Sequence, residues 1–217
     1  MNRTRTARIT GICVSLGLAM TANAALIDRG GGMIFDSDRN ITWLANANQG
    51  AGSAYDDSFL TTDGLMTWQS AVNWAANLSY GGYTDWRLPT TAVPDVTCSM
   101  VPPAAFGTNC TGSELGHLYN TELGGTVANP VGPTPAPGPG PFTNILADGY
   151  WSGTAYDATF AYVVNFGFSG QQAADNKTLG YGAWAVRDGD VGVVPAPAAL
   201  WLFGTALIGL AGRLRRR

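Results

Sequence analysis

The side chains able to do chemistry are sparse in this 217-residue sequence: one histidine, three cysteines and a scatter of carboxylates and arginines. His117 stands three residues after Glu114 in a stretch with helical spacing, where it either lines a polar helix face or serves as a base. No serine or cysteine nucleophile motif accompanies it. Asp36, Asp38 and Asn40 alternate as oxygen donors do in calcium loops, but the glycine and distal glutamate of an EF-hand are missing. A solvated hairpin turn and a cation site are the two readings of that triplet. Arg87 either pairs with Glu114 or binds a ligand. Tyr80, Tyr83, Tyr156 and Tyr162 either pack in a core or stack on sugars. No nucleophile–base pair or metal set assembles from these residues, so the chain reads as non-enzymatic and free of cofactors.

Charge narrows the partners. Hydrophobic residues make up 46% of the chain and charged residues 12%, about half the usual charged share. All fifteen acidic residues lie between Asp28 and Asp190, against only Arg29, Arg39, Arg87, Lys177 and Arg187, a surplus of ten negative charges. Such a segment is repelled by phosphate backbones, which excludes a nucleic-acid partner.

The other seven bases mark the two ends. Arg3, Arg5 and Arg8 precede an apolar stretch from Ile9 to Met20 and a small-residue exit, Ala22-Asn23-Ala24. These are the parts of a secretory signal peptide over residues 1–24, with cleavage between Ala24 and Ala25. At the far end, Val194-Pro195-Ala196-Pro197 leads into an uncharged stretch counted from Ala196 to Gly212, and Arg213, Arg215, Arg216 and Arg217 close it. As a helix the stretch spans roughly 25 Å, which predicts a C-terminal transmembrane helix with the arginines held on the cytoplasmic side. Proline motif, apolar segment and arginine tail over residues 194–217 resemble the PEP-CTERM sorting signal of Gram-negative bacteria, with Ala196 replacing the glutamate of the name-giving Pro-Glu-Pro. The resemblance implies an exosortase, a membrane enzyme that cleaves near this motif, as partner. It also implies association with exopolysaccharide and biofilm export.

Between the ends, residues 25–193 form one domain. Cys13 leaves with the signal peptide, and the remaining pair, Cys98 and Cys110, reads as a disulfide in an exported protein. Closing that loop contributes about 3 kcal/mol in the chain-entropy account. Met33-Ile34-Phe35 and Ile41-Thr42-Trp43-Leu44 flank a turn-forming run and predict a hairpin. Trp68, Ala71, Val72, Ala75 and Leu78 fall on one face of a helix capped by Thr67 and stopped by Gly81-Gly82. Ser113 opens a second helix whose apolar side is Leu115, Leu118, Tyr119 and Leu123. Residues 130–141 alternate proline and glycine and read as a loop. Strand-like runs follow at Tyr150–Thr154, Ala161–Phe168 and Ala183–Arg187. The order predicts an α+β domain.

Several strings also look familiar in series. They are Thr67-Trp68-Gln69, then Trp86-Arg87-Leu88-Pro89-Thr90, Glu114-Leu115, Tyr150-Trp151-Ser152-Gly153-Thr154, and Ala183-Trp184-Ala185-Val186-Arg187. Together they resemble the Lcl C-terminal domain family, named after a bacterial collagen-like adhesin, from about Ile34 to Asp188. That family places its Glu-Leu pair soon after the W-R-L-P-T string, so residues 91–113, with both cysteines, read as a disulfide-pinned insertion. The same strings are similar to those of formylglycine-generating enzymes, whose fold is a variant of the C-type-lectin-like domain. These resemblances imply a C-type-lectin-like domain of two helices packed on small antiparallel sheets, with Trp68, Trp86, Arg87, Leu88, Pro89, Glu114, Leu115, Trp151, Ser152, Thr154, Trp184 and Arg187 as structural motif residues. The expected function is a cell-surface or matrix binding module, with a polysaccharide or other surface glycan as the candidate ligand. An enzyme of unrecognised type on a formylglycine-generating-enzyme-like fold is the alternative.

Overall fold

The computed structural model describes residues 26–100, 105–126, 130–131 and 140–192. The cleavage site at Ala24 and Ala25, the motif from Val194 to Pro197, the stretch up to Gly212, the four terminal arginines and most of the proline-glycine loop lie outside the described residues.

Short β-rich runs broken by turn residues give two sheets. The first joins β1 (Leu26–Gly30), β2 (Met33–Asp36), β3 (Ile41–Leu44) and β9 (Val186–Asp188) in that spatial order, all antiparallel. Gly30, Gly31 and Gly32 take φ of 76°, 61° and 77° in the first turn, a left-handed path open to glycine at little cost. The second turn carries Asn40 at φ 52° and pairs Asp36 with Ile41, the expected hairpin. The second sheet runs β4 (Leu65–Met66), β8 (Tyr181–Gly182), β5 (Gly149–Ala155), β6 (Phe160–Asn165) and β7 (Gln171–Asn176), with a single parallel contact between β5 and β8.

The expectation of an α+β, C-type-lectin-like domain is corrected by this architecture. Sheets dominate, and the helices are short: α1 (Trp68–Ala76) has nine residues and α2 (Glu114–His117) four, the latter running into a π turn over Leu118–Glu122. The apolar spacing after Ser113 matches a helix, yet Gly124 at φ 63° leaves it no room to continue. The expected C-terminal transmembrane helix falls on residues 196–212, outside the described residues; no helix among the described residues is long and apolar enough to cross a membrane. In α1 the buried face is Ala71, Trp74 and Ala75, whereas Trp68, Val72 and Leu78 are only half-buried. The stripe is rotated toward Trp74, whose large ring fills the space beneath the helix.

Trp184, between β8 and β9, links the two sheets. Its ring packs at 5.3 Å from Trp43 of β3, 5.3 Å from Tyr150 of β5 and 5.0 Å from Phe142. Its indole Nε1 donates to the Leu44 carbonyl at 2.8 Å, so a ring that is wholly buried leaves no polar atom unsatisfied. The chain is pinned right up to the end of the described segment. Gly189 N donates to Asn40 O at 2.8 Å, Arg29 Nε to Asp190 Oδ1 at 2.9 Å, and the Tyr83 hydroxyl to Val191 O at 3.2 Å.

Candidate functional site

The motif strings turn out to be clamps. Arg87 bridges backbone to backbone with Val186 of β9, and its guanidinium grips Glu114 bidentately, Nη1 to Oε2 at 2.8 Å and Nη2 to Oε1 at 2.9 Å. It also donates to Asp188 Oδ1, from Nε at 3.1 Å and Nη2 at 2.5 Å. Burial works against the charge on Arg87, but Glu114 and then Asp188 outweigh it and push the guanidinium pKa up. Glu114 accepts a further bond from Thr90 N at 2.6 Å. At Pro89 the next string takes over. Ser152 Oγ donates to Pro89 O at 2.9 Å, Gly153 N to the same carbonyl at 2.7 Å, and Thr91 N to Thr154 Oγ1 at 2.9 Å. The indole of Trp68 donates to Ser152 O, that of Trp86 to Tyr80 O and that of Trp151 to Met66 O. Arg187 forks onto Asp85 at 2.9 and 2.8 Å, its guanidinium 4.1 Å above the Tyr83 ring. Trp86, Leu88, Pro89, Leu115, Trp151, Ser152 and Trp184 are buried. Beside this frame runs an apolar cleft of about 220 Å³ lined by Val72, Ala76, Trp86, Leu88 and Gly153, and Arg87 at its rim is already held by two carboxylates.

Cys98 and Cys110 are bonded, with Cα atoms 4.1 Å apart. The insertion they close sits beside α2 and also adds to the sheet edge. Gly107 exchanges two backbone bonds with Gln172 of β7, at 2.9 and 2.7 Å, and Gln172 Nε2 donates to Ala105 O at 2.6 Å. The triplet considered for calcium divides: Asp38 and Asn40 face outward, whereas Asp36 is fully buried, with Oδ1 accepting from Asp38 N and Arg39 N. The turn is therefore not simply solvated. His117 is not on a polar face either; it is buried and bonded to Glu122. Of the four tyrosines, Tyr80 packs edge-on against Trp86, Tyr83 lies under Arg187, and Tyr156 and Tyr162 flank Phe106 of the insertion.

A second depression lies on one face of the larger sheet. Strand alternation points Val163 and Asn165 of β6 the same way as Gln171, Ala173 and Asp175 of β7, with Val163 opposite Ala173 and Asn165 opposite Gln171. Gly149 of β5 and Tyr181 of β8 complete a hollow of about 200 Å³. A Cβ on Gly149 would stand 2.7 Å from Val163 and 2.8 Å from Tyr181, so only glycine lets the tyrosine ring lie there. The Tyr181 hydroxyl donates to Asp175 Oδ2 at 2.6 Å; burial first and that carboxylate second push its pKa up, keeping it a proton donor. Asn165 Oδ1 is buried without a hydrogen-bond partner. A tyrosine ring edged by amide and carboxylate acceptors is the donor–acceptor set that holds hydroxyl-rich ligands. Sequence reasoning missed this hollow because Gln171–Asn176 is poor in β-branched and aromatic residues and carries little strand signal.

Comparison with known proteins speaks to the other end of the chain. Residues 193–217 match the PEP-CTERM protein-sorting motif. No match is found among the curated proteins or among the solved structures. The motif marks an exported protein that exosortase processing sorts toward the cell surface. None of the comparisons shows the Lcl C-terminal domain family, whose resemblance rests on the strings in the middle of the chain.

Proposed function

We propose that this exosortase-sorted protein is a surface or matrix binding protein that holds a neutral glycan in the β6–β7 hollow and catalyses no reaction. The observation that carries the reading is the unpartnered side-chain Oδ1 of Asn165 beside Tyr181 and Asp175, a buried acceptor at a hollow of sugar-ring size. An orphaned buried acceptor costs about 1–3 kcal/mol, and a ligand hydroxyl would recover it. The engagement of the reactive groups supports binding over turnover. Both cysteines are tied to each other, and Arg87 is saturated by Glu114 and Asp188. The negative surplus of residues 28–190 disfavours sulfated or other polyanionic glycans. An exopolysaccharide of the producing cell, as found in biofilms, fits both the sorting signal and the hollow.

A glycan array probed with the full chain, followed by calorimetry, tests this. Asn165→Ala and Tyr181→Phe are expected to weaken binding of a neutral saccharide at least tenfold while leaving the melting temperature within a few degrees. Binding unaffected by both variants, or consumption of the saccharide, would overturn the reading.

A further inference from the structure

His117 closes α2, and Glu122 closes the π turn five residues later. Along a regular α-helix that spacing leaves two side chains about 140° apart around the axis. The wider π turn narrows the offset and brings His117 Nε2 to 3.2 Å from Glu122 Oε1. Such turns are poorer helix, and where they occur they commonly shape a functional site. The two side chains are 11% and 3% exposed, and the wholly buried Asp36 approaches from the end of β2. A carboxylate oxygen of Asp36, a ring nitrogen of His117 and a carboxylate oxygen of Glu122 all lie within 4.8 Å of one another.

Asp36 supplies the second, independent observation. Its Oδ1 is committed to the turn amides of Asp38 and Arg39, but its Oδ2 is buried without a hydrogen-bond partner. The Trp43 indole N–H is close enough to favour the charged carboxylate, yet Trp43 Nε1 also lacks a partner of hydrogen-bonding geometry. Arg39, the nearby base, directs Nη1 to Gly112 O and Nη2 to Thr111 O. With His117 neutral, the carboxylates of Asp36, Asp38 and Glu122 outnumber that one guanidinium by two charges. Buried charge left in that state is expensive.

We propose that Asp36, His117 and Glu122 form a binding site for one divalent transition-metal ion, with zinc the best match to the donors. One imidazole nitrogen with two carboxylate oxygens is a borderline donor set, and three protein ligands leave a fourth position for water. Zinc bonds of about 2.0–2.1 Å at tetrahedral angles set ligand atoms about 3.3 Å apart. The His117–Glu122 separation of 3.2 Å already meets that spacing, and a carboxylate oxygen of Asp36 lies within 4.8 Å of both ligand atoms. Calcium and magnesium want six or more oxygens and reject a nitrogen ligand in so small a set. The ion would fasten the β2–β3 turn to the π turn, joining two elements through their side chains.

The test uses the full chain, stripped with a chelator and titrated with Zn²⁺ against a chromophoric indicator, with thermal melts in Zn²⁺, Ca²⁺ and Mg²⁺. One Zn²⁺ per chain and a rise in melting temperature with Zn²⁺ alone are expected. Glu122→Gln and His117→Gln should each weaken binding at least tenfold and remove the zinc-dependent rise. Glu122→Gln is the decisive variant, because Asp36→Asn also disturbs the turn that Oδ1 caps. Three results would overturn the site: no stoichiometric zinc, zinc bound as tightly by both variants, or an equal rise with Ca²⁺. If His117 and Glu122 form a hydrogen-bonded pair alone, the variants change the zinc-free melt and zinc changes nothing, which equally overturns it.

Discussion

Asp57 collects three hydrogen bonds at the start of α1: Thr67 N at 2.8 Å, Thr67 Oγ1 at 3.0 Å and Ser70 Oγ at 2.6 Å. Thr67 occupies the N-cap position that the sequence predicts, but its side chain makes no cap bond of its own. Burial works to raise the Asp57 pKa, and the bonds from Ser70 and Thr67 outweigh it, holding the carboxyl below its ordinary 3.8. A folded-state value below the unfolded one means stability that is fully present above about pH 4 and is lost as the pH falls through the lowered value. Asp57→Asn is therefore expected to melt earlier than the parent at pH 7, with the gap closing below pH 4. A gap that ignores pH would show that the charge on Asp57 contributes nothing. At this scale the Arg87–Glu114 contact was legible because bases are so scarce that Glu114 has only five to choose from between residues 28 and 190. Asp188 as its second partner was not, since it comes from a strand a hundred residues on. Neither was the burial of His117, which depends on a π turn that no residue pattern announces.

The insertion carries the clearest expectation for a single element. Its disulfide spans a sequence separation of 12, and Gly107 within it pairs with Gln172 on the edge strand β7. Replacing both cysteines by serine should cost about 3 kcal/mol of stability. Amide exchange should accelerate first at Gly107 and Gln172, since that edge is the pairing the loop supports. Uniform acceleration across both sheets would show that the loop stabilises the whole domain instead. The β2–β3 hairpin, α1, β5 and β6 were readable because each shows its period or its turn residues. The tilt of α1 toward Trp74 was not, because two apolar stripes compete on that helix and only the sheets beneath it decide between them. Strand β7 was hidden by its composition, and with it the hollow, whose floor is the alternation of two strands rather than any contiguous string.

At the scale of the molecule, the sequence marks the sorting signal plainly and the architecture poorly. An apolar segment with prolines before it and arginines after it is a one-dimensional pattern, and the match over residues 193–217 follows from it. In the sheet orders β1-β2-β3-β9 and β4-β8-β5-β6-β7, the β3–β9, β4–β8 and β8–β5 pairings join strands far apart in sequence. Strands as short as β2, β3, β4, β8 and β9, none longer than four residues, leave little periodicity to read. The pinning of the last described residues by Asn40, Arg29 and Tyr83 bears directly on how the tail is handled. Val191 is already fastened to the folded body, and the sorting motif begins at residue 193. Two residues span at most about 7 Å of chain. If the domain folds before processing, the matched segment starts on a leash with almost no slack, and an enzyme cutting there works against the wall of a finished domain. A flexible glycine-serine spacer of about ten residues lengthens the leash by roughly 17 Å. Inserted after Gly192, it should speed loss of the tail in a pulse-chase experiment in the native host, without altering the melt of the domain. An unchanged rate would mean that the cut is made before β9 docks, while the leash is still an unfolded strand.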